Sequence, residues 1–275
     1  MVEHIDRYDA FARFLAANGF VVYGNDHLGH GGTARTPDDI GFFGDRGGWE
    51  CLVEDMATLT KLARERHPGL PCFLYGHSMG SFLARSYAFR HPDIQLAGML
   101  LTGTNFLPRI TSMAGLALFS TARMLFGHRS RPVRLDRILF GNYNRPFEPA
   151  RTPRDWLSRD ESIVDAYMLD PLCGFVFTTS AYQELMRGLS EIVRQDRIRR
   201  MDPALPVWIG CGEFDTVGNC GEGARRTAEA FQAAGLAPPT LKVYPGARHE
   251  LLNETCRDEV YGDICRWLES RLPVS

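Results

Sequence analysis

The segment Cys72–Ser81, which reads CFLYGHSMGS, decides the fold of this chain. An apolar run leads directly into a G-x-S-x-G motif at residues 76–80, and apolar residues then recur at helical spacing as far as Pro92. This order predicts a buried strand, a tight turn and a helix. Both glycines of the motif are expected because side chains would collide across so tight a turn. Ser78 is therefore predicted at the exposed carboxyl end of a sheet, and a simple helix-capping role is its alternative.

Strands and helices alternate on both sides of this segment. Short apolar runs predict strands, and longer stretches with apolar residues three or four apart predict helices. This alternation is typical of an α/β fold, in which helices flank a mostly parallel sheet. The predicted strands are Phe20–Tyr23, Cys72–Tyr75, Leu96–Leu101, Val207–Cys211 and Leu241–Tyr244. The predicted helices run from Tyr8 to Gly19, from Trp49 to Pro68, and over about Ser78–Arg90, Gly223–Ala234 and Glu254–Leu272.

The alternation stops between about Phe106 and Arg200, where helical patches occur without a convincing strand. We therefore predict a core made of residues 1–106 and 201–275 and an inserted helical subdomain made of residues 107–200. The first part of this insertion, from Arg109 to Arg154, is rich in arginine and poor in acids. A solvated helix face is the preferred interpretation of that charge, and contact with anionic head groups is the alternative.

The composition excludes several classes of protein. The chain has 275 residues, of which 44% are apolar and 23% charged, and its formal net charge is −2, so we expect a globular protein without a nucleic-acid partner. Its seven cysteines are odd in number and form no C-x-x-C pair, which indicates reduced thiols. The beginning of the chain, MVEHIDRYDAF, does not have the pattern of a signal peptide, and no apolar run is long enough to span a membrane. These observations predict a cytoplasmic protein.

A serine hydroxyl is a poor nucleophile at neutral pH, so a reactive Ser78 needs a histidine base and a carboxylate that orients it. In an α/β architecture of this kind the order along the chain is serine, acid, histidine. His249 is the only later histidine that lies just after a predicted strand. The acid is expected at the end of the strand Val207–Cys211, where Asp215 is preferred and Glu213 is the alternative.

Four further motifs, together with the serine turn, resemble those of one family. They are Glu3-His4-x-x-Arg7-Tyr8, Asp26-His27-x-Gly29-His30-Gly31, Gly-x-x-Asp-x-Val at residues 212–217 and Tyr-Pro-Gly-x-x-His at residues 244–249. Over nearly its whole length the chain resembles the serine α/β-hydrolases of the monoacylglycerol lipase and lysophospholipase group, which are serine aminopeptidase S33-type hydrolases. The resemblance implies the α/β-hydrolase fold and a triad of Ser78, Asp215 and His249. It also implies that the backbone N–H of Met79 is an oxyanion-hole donor.

The same resemblance makes the insertion a cap over the site and the reaction the hydrolysis of a carboxylic ester through an acyl-enzyme. A small ester or lipid is the expected substrate, with at most peripheral membrane contact through the cap and without a cofactor. A short-chain carboxylesterase is one alternative. An aminopeptidase is another, and Asp160, Glu161 and Asp165 could then hold the free amine of its substrate.

His27 and His30 have the i, i+3 spacing of metal ligands on a helix. The glycines beside them do not permit a stable helix, so we assign these histidines a structural role and expect no metal there.

The beginning of the chain departs from the family pattern. Members carry His-Gly just before the segment matched by residues 1–4, and the residue after that glycine donates the second oxyanion N–H; here that residue is Met1. Two or three strands, about 25–35 residues with their turns, are then missing. The sequence leaves two readings open: a misassigned start of a competent esterase, which the intact triad favours, or a real short form that is weakened or only binds ligands.

Overall fold

The computed structural model describes residues 1–273, except for the side chains of residues 139 and 140. Within that range four parallel strands form one sheet in the order β1-β2-β3-β4, and ten α-helices accompany it. The strands are β1 (Phe73–His77), β2 (Gly98–Thr102), β3 (Val207–Gly212) and β4 (Thr240–Tyr244). The predicted α/β fold with a parallel sheet is thus confirmed, and four of the five predicted strands lie within two residues of their expected positions.

The helices that join the strands also follow the predicted pattern. α3 connects β1 to β2 and α9 connects β3 to β4, so each crossover places a helix on a face of the sheet. The helices are α1 (Asp9–Ala17), α2 (Gly48–Arg66), α3 (Met79–Arg90), α4 (Arg109–Phe126), α5 (Val133–Phe140), α6 (Glu161–Leu169), α7 (Thr179–Ile192), α8 (Gln195–Ile198), α9 (Glu222–Ala233) and α10 (Arg257–Glu269).

The inner strands β2 and β3 are buried on both faces, as their continuous apolar runs require. Successive side chains of a strand point to opposite faces. On β2, Met99 and Leu101 join the larger apolar cluster with Trp49 of α2, whereas Leu100 joins the smaller cluster with Ile264 of α10. A separate apolar core therefore covers each face of the sheet. The loops that follow the strands converge at the carboxyl ends of the strands.

The predicted strand Phe20–Tyr23 is wrong. These residues have no regular secondary structure, and no hydrogen bond from backbone to backbone joins residues 21–26 to another described segment. An apolar run becomes a strand only when a neighbouring backbone pairs with it. The side chains of Val21 and Val22 are exposed instead of buried.

Residues 107–200 contain helices α4 to α8 and, among the described residues, no strand. α7 contacts both the other helices of this stretch and the helices α2 and α3 of the predicted core. It packs along α4, and its Gly188 faces the ring of Trp49, where a Cβ would lie 2.1 Å from the indole. The division into a core and a 107–200 subdomain stays a prediction. None of the helices in the described part of the chain has the length and apolar character needed to cross a membrane.

Candidate active site

Ser78 lies in the sharp turn between β1 and α3. Its backbone has φ 52° and ψ −119°, a conformation that costs a non-glycine residue of order 1–3 kcal/mol. The Ser78 N–H donates to Thr102 O of β2 at 2.9 Å, which anchors the turn to the sheet. A Cβ on Gly76 would lie 2.3 Å from Gly80 O, so this glycine is required. A Cβ on Gly80 would meet nothing within 4 Å, so the predicted collision at that position is wrong.

Asp215 and His249 are paired at the carboxyl ends of β3 and β4. The Nδ1 of His249 donates to Oδ1 of Asp215 at 2.9 Å, and both side chains are buried. The same oxygen accepts the backbone N–H groups of Val217 at 3.0 Å and Gly218 at 3.2 Å. Because Nδ1 holds the proton in this pair, Nε2 is the nitrogen that can accept one.

Several neighbours act on the charge of Asp215. Burial by itself would raise the pKa of this carboxyl. The positive charge and hydrogen bond of His249, together with the N–H of Gly218, overcome that effect and hold the pKa below its ordinary value. Asp215 therefore remains an anion that can stabilise an imidazolium.

Glu213, the alternative acid, has a different role in the structure. Its side chain is exposed, and Oε2 accepts the backbone N–H of Gly246 at 2.8 Å. This contact braces the loop that carries His249, but Glu213 makes no hydrogen bond to the imidazole itself within the described residues. Asp215 is thus the better candidate.

The ring of His77 lies beside the imidazole of His249, next to the serine turn. The two rings lie 4.7 Å apart between centroids, and His77 immediately precedes Ser78. Gly103, with φ +57°, permits this approach because a Cβ there would lie 2.7 Å from Cε1 of His249. Burial and then the charge of His249 lower the pKa of His77 to about 3, so its ring stays neutral. Its Nδ1 pairs with the Thr102 hydroxyl at 3.1 Å.

The two candidate oxyanion donors differ in their surroundings. Met79 is the first residue of α3, so its backbone N–H has no acceptor within the helix and lies at the positive end of the helix dipole. The Met1 amine lies 3.7 Å from Oε1 of Glu3. Both assignments stay predictions.

Trp156, from the 107–200 stretch, covers the histidine. Its ring lies 5.2 Å from that of His249, and its carbonyl accepts the His249 backbone N–H at 3.4 Å. The ring of Tyr143 also packs against that of Trp156, 5.1 Å away between centroids. Sequence reasoning missed Trp156, because no local pattern shows that a residue nearly a hundred positions away will lie on the histidine.

A buried ion network holds the loop behind His249, and sequence reasoning missed its role. Arg7 donates to both carboxylate oxygens of Glu250, at 2.7 and 2.6 Å, and it also pairs with Glu3. Burial alone would raise the pKa of Glu3, but the terminal amine and Arg7 lower it to about 2. Glu3 and Arg7 belong to a motif noted in the sequence, and Glu250 directly follows His249. The sequence did not show, however, that Arg7 and Glu250 contact each other.

His27 and His30 take structural positions. His30 is buried, its Nδ1 pairs with Leu28 O at 3.0 Å, and its ring stacks 5.8 Å from Phe43. Burial and then the terminal amine lower the pKa to about 4 for His27 and about 3 for His30. Nearby, Asp26 accepts the backbone N–H groups of Ile5 and Gly32 and joins this loop to the beginning of the chain.

Comparison with known proteins agrees with this geometry. The family model described as serine aminopeptidase, S33 matches residues 1–256. The chain is 28% identical to the monoacylglycerol lipase of Mycolicibacterium smegmatis, a match that covers 98% of this chain and 85% of the relative. It is 28% identical to the human monoglyceride lipase, with 98% and 80% covered.

Solved structures show the same fold. A thermostable carboxyl esterase from Bacillus coagulans, in complex with glycerol, superposes with a TM-score of 0.90 at 31% identity and covers 98% of this chain and 87% of its own. A lipase in its open form superposes with a TM-score of 0.87 at 27% identity, again with 98% and 87% covered. The chain therefore belongs to the serine aminopeptidase S33 family of α/β-hydrolases, and it is a serine hydrolase of the lipase and esterase type.

Proposed function

We propose that the chain hydrolyses monoacylglycerols, with Ser78 as the nucleophile, His249 as the general base and Asp215 as the orienting carboxylate. The observation that carries this proposal is the buried hydrogen bond between Asp215 and His249, set against the strained turn that presents Ser78. A nucleophile, a base and a buried acid that orients the base are the three groups that acyl transfer needs.

The reaction proceeds in two halves. Oγ of Ser78 attacks the ester carbonyl while Nε2 of His249 takes the hydroxyl proton, and Asp215 stabilises the imidazolium that forms. The N–H of Met79, with Met1 as the second donor, holds the oxyanion. His249 then protonates the departing glycerol oxygen as the ester bond breaks. In the second half, water attacks the acyl-enzyme with the same proton relay and releases the fatty acid and Ser78.

The electrostatics of the site favour this relay. Asp215 is held as an anion and His77 as a neutral ring, so the imidazolium of His249 forms beside one negative charge and no second positive imidazole. Trp156 and the burial of His249 keep water from the ion pair, which strengthens the interaction.

Two features support a monoacylglycerol as substrate. Relatives that match nearly the whole chain are named monoacylglycerol or monoglyceride lipases. The helix α4 also exposes large apolar side chains that suit an acyl chain or peripheral contact with a lipid surface. They are Ile110, Met113, Leu118, Met124, Leu125 and Phe126. The seven free cysteines support the cytoplasm as the compartment, and the net charge of −2 supports a small-molecule substrate over nucleic acid.

The structure gives the aminopeptidase alternative less support than the esterase, although the family model carries the aminopeptidase name. An amine-binding site needs free carboxylates, but Asp160 pairs with Arg257 at 3.1 Å and Asp165 pairs with Arg151 at 2.6 Å. Glu161 also faces Arg151, at 3.7 Å. A short-chain carboxylesterase remains the second candidate, because the similar structure from Bacillus coagulans carries that name.

A covalent probe tests the proposal directly. A fluorophosphonate labels an activated serine, so it should label the native chain and leave Ser78→Ala unlabelled. Ser190→Ala is the matched control, since the Ser190 hydroxyl donates to the Arg187 carbonyl within its own helix, and it should label normally. Labelling of Ser78→Ala, or folded native protein that is never labelled, would contradict the proposal; the second result would instead support a ligand-binding protein.

Release of fatty acid then separates the substrates. The chain should cleave long-chain monoacylglycerols with a higher kcat/KM than p-nitrophenyl acetate or butyrate. The reverse order would identify a short-chain carboxylesterase. Preferential cleavage of an aminoacyl p-nitroanilide would restore the aminopeptidase alternative.

A further inference from the structure

Three metal-ligating side chains meet where the beginning of the chain contacts the segment after α6. The ligand atoms of His4, Asp170 and Cys173 all lie within 4.8 Å of one another, and each residue is partly buried. His4 precedes the turn that carries Arg7, whereas Asp170 and Cys173 follow the last turn of α6. The cluster is separate from Ser78, Asp215 and His249.

The position of the Asp170 carboxylate places its Oδ2 atom where it can bind a metal ion. Oδ1 accepts the backbone N–H of Leu172 at 2.8 Å, which fixes the carboxylate, and Oδ2 points at Nε2 of His4 at 2.8 Å. Oδ2 of Asp6 lies 3.7 Å from the other nitrogen of His4. A carboxylate beside the second nitrogen is the usual support of a metal-bound histidine, because it fixes the ring and raises its basicity.

We propose that His4, Asp170 and Cys173 bind a zinc ion. Imidazole, carboxylate and thiolate are the three ligand types that Zn²⁺ takes, and three of them with a water in the fourth position complete a tetrahedron. Bonds of about 2.0–2.3 Å place neighbouring ligand atoms about 3.3–3.7 Å apart. The cluster lies within 4.8 Å, so only small side-chain movements bring it to this geometry.

Binding balances in charge and protons. The Cys173 thiol transfers its proton to solvent as the sulfur–zinc bond forms, and the proton shared by His4 and Asp170 moves to Nδ1 of His4, toward Asp6. The cation Arg7 acts on Asp170 and Cys173, and Glu3 and Glu250 already pair with it. The surroundings therefore do not oppose a divalent cation.

Zinc bound here would join two segments that now touch through few bonds. The Val2 carbonyl accepts the Gly174 N–H at 2.9 Å and the Tyr167 hydroxyl at 3.1 Å. Arg7, three residues after His4, supports Glu250 beside the catalytic histidine. The metal would thus brace the segment from which Arg7 holds the histidine loop.

The first measurement uses the full chain, stripped of metal with a chelator. Equilibrium dialysis should show one tightly bound Zn²⁺ per chain, and zinc should raise Tm by a few degrees because it binds only the folded state. Co²⁺ in its place should give the near-ultraviolet charge-transfer band of a cobalt–thiolate bond.

The variants decide between this site and adventitious binding. Cys173→Ser should abolish the cobalt–thiolate band, and Cys173→Ser, His4→Gln and Asp170→Asn should each weaken zinc binding at least about a hundredfold. Circular dichroism confirms that each variant folds, and Asp170→Asn retains the hydrogen bond to His4.

Two matched controls should leave zinc affinity unchanged. Cys220→Ser removes an exposed thiol, and His128→Gln removes an exposed histidine whose Nδ1 lies 2.7 Å from Asp45. No zinc binding by the native chain, or binding and a cobalt–thiolate band that survive Cys173→Ser and His4→Gln, would overturn the proposal.

Discussion

Two buried charged regions lie on either side of the loop that carries His249, and they are satisfied differently. Behind the loop, Arg7 is paired with both Glu3 and Glu250. At the sheet edge, Oδ1 of Asp215 is fully engaged, but Oδ2 is buried without a hydrogen-bond partner among the described residues. A paired network gains rigidity from complete satisfaction, whereas a catalytic carboxylate keeps free capacity for the charge that develops during reaction. We therefore expect the first region to determine stability and the second to determine rate.

The largest effect is expected from a substitution in the region of Asp215 and His249 alone. Asp215→Asn should lower kcat about 10⁴-fold, because the amide no longer holds the imidazole in its reactive tautomer. Stopped assays of fatty-acid release measure the rate, and urea unfolding checks that the variant is folded. Glu213→Gln is the matched control and should stay within about threefold of the native rate, a range typical of residues outside the reacting groups. If Glu213→Gln lowers kcat instead, Glu213 and not Asp215 is the acid.

Acidification tests the buried histidines outside these two regions. His27, His30 and His77 have pKa values of about 4, 3 and 3 in the folded protein, chiefly because of burial. The unfolded chain binds these protons near pH 6.5, so it binds more protons than the folded state. Their stabilisation is present above pH 6.5 and is lost as the pH falls toward 4, by up to about 4 kcal/mol for each pH unit.

Urea unfolding at intervals between pH 7 and 5 measures that slope. His30→Asn should reduce it by about one proton, whereas exposed His128→Gln should leave it unchanged. A flat stability profile over this range would show that the three rings are not held neutral.

Substitutions in the network of Arg7, Glu3 and Glu250 should lower the free energy of unfolding more than they lower kcat. Glu250→Gln removes one partner of a buried pair and should cost about 3 kcal/mol of unfolding free energy. The exposed pair of Arg13 and Asp9 provides the contrast, since Arg13→Ala should cost less than about 1 kcal/mol. A loss of kcat in Glu250→Gln at native stability would contradict the division between the two regions.

The smallest expected effect concerns the serine turn. Gly76→Ala forces a Cβ against the Gly80 carbonyl and should destabilise the fold by about 1–3 kcal/mol. Gly80→Ala has open space and should be neutral or slightly stabilising, since alanine favours a helix. Thermal unfolding of the pair measures the difference, and equal losses would show that the turn is not the constraint.

Local patterns predicted the elements whose own residues carry a clear apolar run or a clear helical spacing. The strand Val207–Cys211 was predicted from a short continuous apolar run, and the helix that begins after Ser78 from apolar residues at helical spacing. Phe20–Tyr23 has the same apolar character but no partner strand, so the same reasoning failed there. Strand pairing depends on two segments, so the sequence of one segment alone does not predict it.

By itself the sequence determined the α/β class, the serine turn and the candidates Ser78, Asp215 and His249, because each follows from a short motif and its place after a strand. The sequence preferred Asp215 to Glu213 but left both open, and the tertiary structure supports that preference because Asp215 is buried and hydrogen-bonded to His249, whereas Glu213 is exposed and bonds Gly246. Only the tertiary structure brought Trp156, Glu250 and Cys173 to their partners. Those contacts join residues far apart in the chain, and the packing of helices and loops on the sheet decides them.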